Sequence, residues 1–431
     1  MLPEPHIRRS GVFKNHLNVL RWRVRIRILV SMKKFLSIII AVSFSLLPCS
    51  DAMSRDTDPG AHNAGTRLGI WITVFSPHDI LGSRKAADTF IKKCLDAGIT
   101  DIFLQVYRAD KAYYSSDMTD SSPFDRRVTS AGEDLIPYLL DQASDHSIRV
   151  HAWMNMLSIA HNTEANILDA LGSHITTKDQ YGRTALIYKK DELDGYYIRE
   201  DQLFLEPGYP EVRDYLGSIS EEIIRRYPGF SGLHLDYIRY PATVPFTPGS
   251  RFTSHGITYG YNWPNIKSFL DMTGIDIRTE SPGRAGYLKW DTLRRNNVSL
   301  LVKNVSDRVK ALNSDIEISC TIVPSMERSY LITLQDWTRW LDENMADFIV
   351  AMNYTDDPRL FELNTRSVSL PELSDDIMIG VGAYILKDKK SVLKEQLSLL
   401  NRLSPPGVVL FSYDDIADDG ELREFLNESF K

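Results

Sequence analysis

Gly232-Leu-His-Leu-Asp-Tyr-Ile-Arg-Tyr-Pro241 reads as a strand with two different faces. Leu233 and Leu235 alternate with His234 and Asp236, and successive side chains of a strand point to opposite sides. In a closed parallel barrel the leucines of such a strand turn toward the surrounding helices. The histidine and aspartate then turn inward, with Asp236 nearest the C-terminal mouth, where barrel chemistry resides. Arg239, three residues on, is expected to hold that carboxylate ionised and oriented, because a nearby opposite charge lowers a carboxyl pKa. The competing reading is a buried aspartate–arginine pair that merely closes the barrel top.

The stretch is one of eight alike. Short β-branched and aromatic runs at 69–75, 101–107, 149–157, 232–239, 317–323, 348–354, 377–384 and 408–413 alternate with segments of helical periodicity. Those helices are expected at 86–97, 135–146, 210–226, 291–312, 334–343, an irregular stretch near Leu370, 391–402 and 420–430. Eight strand–helix units predict an α/β fold of the (β/α)8 TIM-barrel type, spanning 67–431 as a single domain. A doubly wound open sheet is the alternative, but no glycine-rich phosphate loop follows the first strand.

Two connections are long for this architecture, about 158–208 after strand three and 241–290 after strand four. Both leave the C-terminal end of a strand, so both belong over the mouth. They are rich in aromatics, among them Tyr181, Tyr188, Tyr196, Tyr197, Phe204, Tyr209, Phe246, Phe252, Tyr259, Tyr261 and Trp263. Such rings either stack on sugar faces or form small cores that pin the loops. At or near the predicted strand ends lie Trp71, Gln105, Tyr107, His151, Trp153, Asn155, Asn353, Tyr354 and Tyr413. A ring, or a polar tip on an apolar body, suits substrate binding there, and so does Arg239.

Composition narrows the classes. The chain is 43% hydrophobic and 25% charged with a net charge of −7, an ordinary globular balance that argues against nucleic acid as a partner. Residues 32–34, Met-Lys-Lys, precede an apolar run at 35–47 and then small and polar residues up to Ala52. That order predicts a secretory signal at 32–52 and an exported, periplasmic or envelope-associated protein. The apolar run is too short for a permanent membrane span. Residues 1–31 are expected to be an extension preceding the true start at Met32, or else a basic arm near the membrane; 53–66 is a linker. Lipid attachment at Cys49 is a lesser alternative, since Pro48 fits a lipoprotein signal poorly. Cys94 and Cys320 belong to no paired motif and are expected as buried small hydrophobes. The first strand, Gly-Ile-Trp-Ile-Thr, carries no metal ligand, so no catalytic metal or other cofactor is expected. No Gly-x-Ser-x-Gly elbow supports a serine hydrolase.

Over roughly 67–413 the chain resembles the glycosyl hydrolase-like family 10 barrels. The resemblance rests on Gly69-Ile-Trp-Ile-Thr73, on Leu205-Glu-Pro-Gly-Tyr-Pro-Glu-Val-Arg213 with Asp214-Tyr-Leu216, on Leu235-Asp-Tyr-Ile-Arg-Tyr-Pro241, and on Val409-Leu-Phe-Ser-Tyr413. Glu206, Asp236-Tyr237 and Ala351-Met-Asn-Tyr354 depart from the family's usual residues and suggest a divergent branch. The resemblance implies hydrolysis of glycosidic bonds in an exported glycan, with peptidoglycan strands as one candidate. Such chemistry needs two carboxyl groups flanking the scissile bond. Asp236 supplies one; related barrels imply a partner beyond strand five or six. Here that means Glu327, or Asp356 and Asp357, with Asp356 favoured because Asn353-Tyr354 brings polar side chains to the same rim. Asp414 and Asp415 are further candidates, and Glu206 is expected to cap the helix beginning near Pro210. A glycan is the expected partner and a monomer the expected state. A catalytically silent glycan-binding barrel stays open as the rival, and lytic or transglycosylating action is not separable from hydrolysis at this level.

Overall fold

The computed structural model describes residues 66–187, 200–242, 257–280, 283–369 and 374–430. The extension, leader, linker and Cys49 lie outside them, as do Tyr188, Tyr196, Tyr197, Phe246 and Phe252. Eight parallel strands form a closed ring: β1 (Arg67–Ile72), β2 (Asp101–Arg108), β3 (Arg149–Asn155), β4 (Gly232–Asp236), β5 (Glu317–Ile322), β6 (Phe348–Asn353), β7 (Ile377–Gly382) and β8 (Gly407–Phe411). Each pairs with its neighbour in sequence, and β8 closes on β1 with Arg67 opposite Gly407. The eight-stranded TIM barrel expected from the sequence is therefore the fold.

Strand alternation sorts the side chains. The outward residues, such as Leu68 and Ile70 of β1, Ile102 and Leu104 of β2, Leu233 and Leu235 of β4 and Ile377 and Ile379 of β7, join one continuous core beneath the helices. Each fully buried side chain of this kind contributes roughly 1.5–3 kcal/mol relative to exposure. A separate inner core holds Trp71, Phe103, Trp153, Phe348, Val350, Met378 and Val409.

The barrel helices are α1 (Arg84–Asp96), α2 (Ile136–Asp145), α3 (Pro210–Arg226), α4 (Gly283–Leu312), α5 (Trp337–Asp342), α6 (Pro358–Val368), α7 (Lys390–Leu403) and α8 (Gly420–Ser429). Ser83 starts α1 by accepting the Ala86 N–H, and Asp419 starts α8 by accepting that of Leu422. The sixth helix is regular rather than irregular, because Asp357 caps it and Pro358 occupies its first turn. A helix at Ser122–Ala131 was not anticipated. No described helix is long and apolar enough to cross a membrane.

The lower end of the barrel is closed by charge. Arg67 bonds both Asp101 (Nη2–Oδ1 2.6 Å) and Glu317 (Nη2–Oε2 2.9 Å), Arg149 bonds Asp101 at 3.0 Å, and His151 Nε2 lies 2.9 Å from Asp101 Oδ1. Above, the two long insertions meet at Glu206. This fully buried carboxylate accepts hydrogen bonds from Thr177 Oγ1, the Gly208 N–H, Asn265 Nδ2 and the Tyr240 hydroxyl. It joins the loops rather than capping α3, whose N-cap is Tyr209 with no side-chain bond.

Candidate active site

Asp236 is the last residue of β4, and Tyr237 follows with a left-handed backbone (φ 51°). That turn folds the Tyr237 N–H back onto Asp236 Oδ1 at 2.7 Å. Thr321, on the inner face of β5, donates its hydroxyl to the same oxygen at 2.7 Å, and Trp153 of β3 donates its indole N–H to Oδ2 at 3.2 Å. Three donors and no acceptor suit an ionised carboxylate. Burial nevertheless outweighs Thr321, the Tyr237 amide, Arg239 and Trp153, and pushes the Asp236 carboxyl above its ordinary value.

Arg239 acts differently from expectation. Its guanidinium bonds Glu200 (2.7 Å) and the Tyr240 carbonyl (3.1 Å), and lies over the rings of Tyr237 and Phe204. It reaches Asp236 only as a nearby charge, and the net shift of Asp236 is upward rather than downward. Beside the aspartate, Asn155 is its register partner on β3, and Asn155 Oδ1 accepts from Gln105 Nε2 of β2 at 3.1 Å.

Below this layer, Trp71 Nε1 donates to His234 Nε2 at 3.0 Å, and His234 Nδ1 lies 2.8 Å from Ser319 Oγ. Because an indole can only donate, the His234 proton sits on Nδ1 and is given to Ser319. Burial holds this imidazole well below its usual pKa, hence neutral. Room for Trp71 comes from β7. A Cβ on Gly380 would lie 3.0 Å from Trp71 Cη2, and one on Gly382 would lie 3.1 Å from Tyr354 Cβ and Cγ, so two absent side chains admit two rings.

Trp153, Gln105, Asn155 and Asp236 thus converge at the mouth, with Trp71 in the layer below and Tyr354 and Phe411 packed against the inner core. Four other predicted rim residues lie elsewhere. A bulge between Gln105 and Tyr107 turns Tyr107 outward, where its hydroxyl bonds Asp110. His151 faces inward but at the lower end, on Asp101. Asn353 has outward parity and bonds the Phe361 carbonyl and Thr365 of α6. β8 ends at Phe411, and the turn Tyr413–Asp415 swings Tyr413 against Phe90 in the helical layer.

The acids expected to partner Asp236 are peripheral. Asp356 is exposed and ion-paired with Lys389, which holds its carboxyl below the ordinary value. Glu327 is exposed in the first turn of the short helix Met326–Leu331. Asp357 caps α6, Asp414 accepts from Ser76, and Asp415 caps the turn it ends. Among the described residues no carboxylate shares a hydrogen-bond partner with Asp236. Sequence reasoning missed Thr321, although Glu317, Ser319 and Thr321 alternate with apolar residues along the strand, a readable sign of an inward polar face.

One group of potential metal ligands, Asp101, His151 and Glu317, occupies the lower end. Arg67 and Arg149 already pair with its carboxylates, so the donor set is charge-matched by guanidiniums.

A family model described as glycosyl hydrolase-like 10 matches residues 67–392, which carry seven of the eight strands and Asp236 with its hydrogen-bond partners. The chain belongs to this family. Among its relatives are glycosyl hydrolase DigH of Escherichia coli K12, 25% identical over 278 residues, and glycosyl hydrolase YngK of Bacillus subtilis, 22% identical over 275. Each alignment covers 60% of this chain, and 55% and 46% of those relatives, so the chain spans about half their length. Two solved barrels share the fold. α-L-Fucosidase isoenzyme 2 of Paenibacillus thiaminolyticus has a TM-score of 0.53 at 11% identity, covering 85% of this chain and 48% of its own. The catalytic domain of Paenibacillus polymyxa β-amylase has a TM-score of 0.52 at 10% identity, covering 85% and 98%. This member of the glycosyl hydrolase-like 10 family therefore shares its barrel fold with solved glycosidases.

Proposed function

We propose that this protein is an exported enzyme that hydrolyses glycosidic bonds in an envelope or captured glycan, peptidoglycan strands being one candidate, with Asp236 as the nucleophile or base. The observation that carries the reading is the seat of Asp236: an inward carboxylate at the C-terminal end of β4, oriented by Thr321, Trp153 and the Tyr237 amide. Such a carboxylate faces the positive charge that develops at the anomeric carbon. The second carboxyl must hold a proton at working pH. Glu327 and Asp356, both exposed beyond β5 and β6, are the proposed donors. The proposed substrate contacts are Trp71, Gln105, Trp153, Asn155 and Tyr354. Export rests on the leader at 32–52.

The test is release of reducing ends from a panel of glycans, including peptidoglycan stripped of its peptides. Asp236→Asn is expected to lower turnover by on the order of a thousandfold or more. Glu327→Gln is expected to impair substrates with poor leaving groups more than those with good ones. A catalytically silent glycan-binding barrel is the second reading, favoured by the peripheral position of every described acid beyond β5 and β6. Binding without cleavage by the parent would select it.

A further inference from the structure

Where β2 ends, the chain turns back on itself and gathers positive charge. The short strand Lys111–Ala112 pairs antiparallel with the end of β2, so Arg108 lies opposite Lys111, and Tyr113 follows. The helix Ser122–Ala131 packs on this hairpin and brings Arg126 and Arg127. Arg127 donates from Nη2 to the Tyr113 carbonyl, and Arg108 lies 4.7 Å over the ring of Phe75, an exposed residue of the loop after β1. A guanidinium stacked in this way is held in plane while its N–H edge stays free. Burial raises the pKa of the Tyr113 phenol against the charges of Arg108, Lys111, Arg126 and Arg127, all four of which reach it. Of these cations only Lys111 has an acidic partner, Asp120 at 2.5 Å. Burial lowers the pKa of Arg127 against the charges of Asp134 and Asp79, and neither acid forms an ion pair with it. Both oxygens of Asp134 are taken, by the Ile136 N–H and the Tyr227 hydroxyl. The guanidiniums of Arg108 and Arg126 and the Tyr113 hydroxyl make no hydrogen bond to a described residue. Elsewhere the described surface matches its cations locally, as Arg84 with Glu133, Arg226 with Asp117 and Lys303 with Asp307. On a chain of net charge −7, three guanidiniums grouped without a counterion call for one from outside.

We propose that Arg108, Arg126 and Arg127, with the Tyr113 hydroxyl, form a binding site for a phosphate group beside the end of β2. The donor set favours phosphate over carboxylate. One guanidinium satisfies both oxygens of a carboxylate in its own plane, whereas several cations around one phenol suit a tetrahedral anion with three or four oxygens. A phosphate monoester also carries up to about two negative charges at neutral pH, which three otherwise uncompensated cations can balance. Arg108, Tyr113 and Arg127 are half-buried, so the site is a recess with fixed donors, and Arg126 closes it from the solvent side. The phosphate belongs either to a soluble ester or to a lipid headgroup. This site is independent of the Asp236 chemistry and stands whether or not the mouth cleaves a glycan.

The experiment uses the exported chain from Met53 in four forms: parent, Arg108→Gln, Arg126→Gln and, as a charge control on α7, Arg402→Gln. Inorganic phosphate is titrated into each by calorimetry near neutral pH at constant ionic strength, with acetate as the carboxylate control. Saturable binding of phosphate by the parent is expected. Arg108→Gln and Arg126→Gln should each weaken it about tenfold, and Arg402→Gln should leave it within about twofold. Arg126 is exposed and its side chain bonds no described residue, so its variant should melt with the parent, and its loss of binding is not a loss of fold. Sedimentation with phosphatidylcholine vesicles, with and without phosphatidic acid, separates the two sources. Co-sedimentation that requires phosphatidic acid and is lost in Arg108→Gln would uphold the site with a lipid headgroup as its ligand. Saturable binding of inorganic phosphate without co-sedimentation would uphold it with a soluble ester. Binding to neither, equal binding by all four forms, or acetate bound as tightly as phosphate would overturn it.

Discussion

At the scale of single residues, Asp236 is a compromise between burial, which favours its neutral form, and three hydrogen bonds that favour the ion. Thr321 carries one of those bonds, and its hydroxyl has no other partner among the described residues. Thr321→Val keeps the shape and removes the donor, so it moves the Asp236 carboxyl further up. If the ionised form is the active one, the acidic limb of the pH–activity profile then shifts to higher pH. At a pH on that limb the variant is expected to lose roughly tenfold more activity relative to parent than at pH 8. An unchanged profile would mean that Asp236 is not the group titrating. The inward placement of Asp236 was legible because two leucines alternate with two polar residues in one short strand. Its hydrogen-bond partners were not, since Trp153 and Thr321 come from strands far away in sequence. The sign of its shift was misjudged because burial outweighs the charge of Arg239, whose guanidinium bonds Glu200.

At the scale of elements, the strands were legible from β-branched and aromatic runs, and α3 from Pro210 at its start. What strand parity could not give is where parity breaks. The bulge in β2 and the turn after Phe411 each redirect a tyrosine, and neither has a glycine or proline to announce it. The insertions carry the other element-scale surprise. Glu206 is a buried acid with four donors, and its carboxyl is raised by burial against those bonds. Glu206→Ala would strand Thr177 and Tyr240 without an acceptor, while Asn265 Nδ2 keeps the Gly260 carbonyl. A loss of about 2–4 kcal/mol is expected, together with earlier protease cleavage within 158–208 and 257–280 than within the barrel. Limited proteolysis followed by mass spectrometry of the fragments would show whether the two insertions loosen together, as a shared anchor demands.

At the scale of the whole molecule, the charged plug beneath the barrel ties β1, β2, β3 and β5 together through Arg67, Asp101, Arg149, His151 and Glu317. Burial alone would push Asp101 up, but the bonds from His151 and Arg67 outweigh it and hold the carboxyl far below the ordinary aspartate range. A folded-state pKa below the unfolded value contributes stability that is present above the unfolded value, near 4, and is lost as pH falls from there toward the folded value. Asp101→Asn is therefore expected to unfold about 3 kcal/mol more easily at pH 7, and the gap between variant and parent should narrow at pH 3. Urea midpoints at the two pH values measure it; a gap independent of pH would mean that packing rather than charge holds the plug.

The seam of the ring carries a consequence for time rather than energy. Arg67, at the start of the first strand, lies opposite Gly407 in the last, and its guanidinium also grips Glu317, 250 positions away. Contacts that distant must wait for chain closure, which slows folding more than it alters final stability. Until the last strand arrives, β1 and β7 each present a bare edge able to pair with another chain. A newborn molecule is thus an open sheet for as long as its final strand is missing, and it becomes a vessel only at the last step.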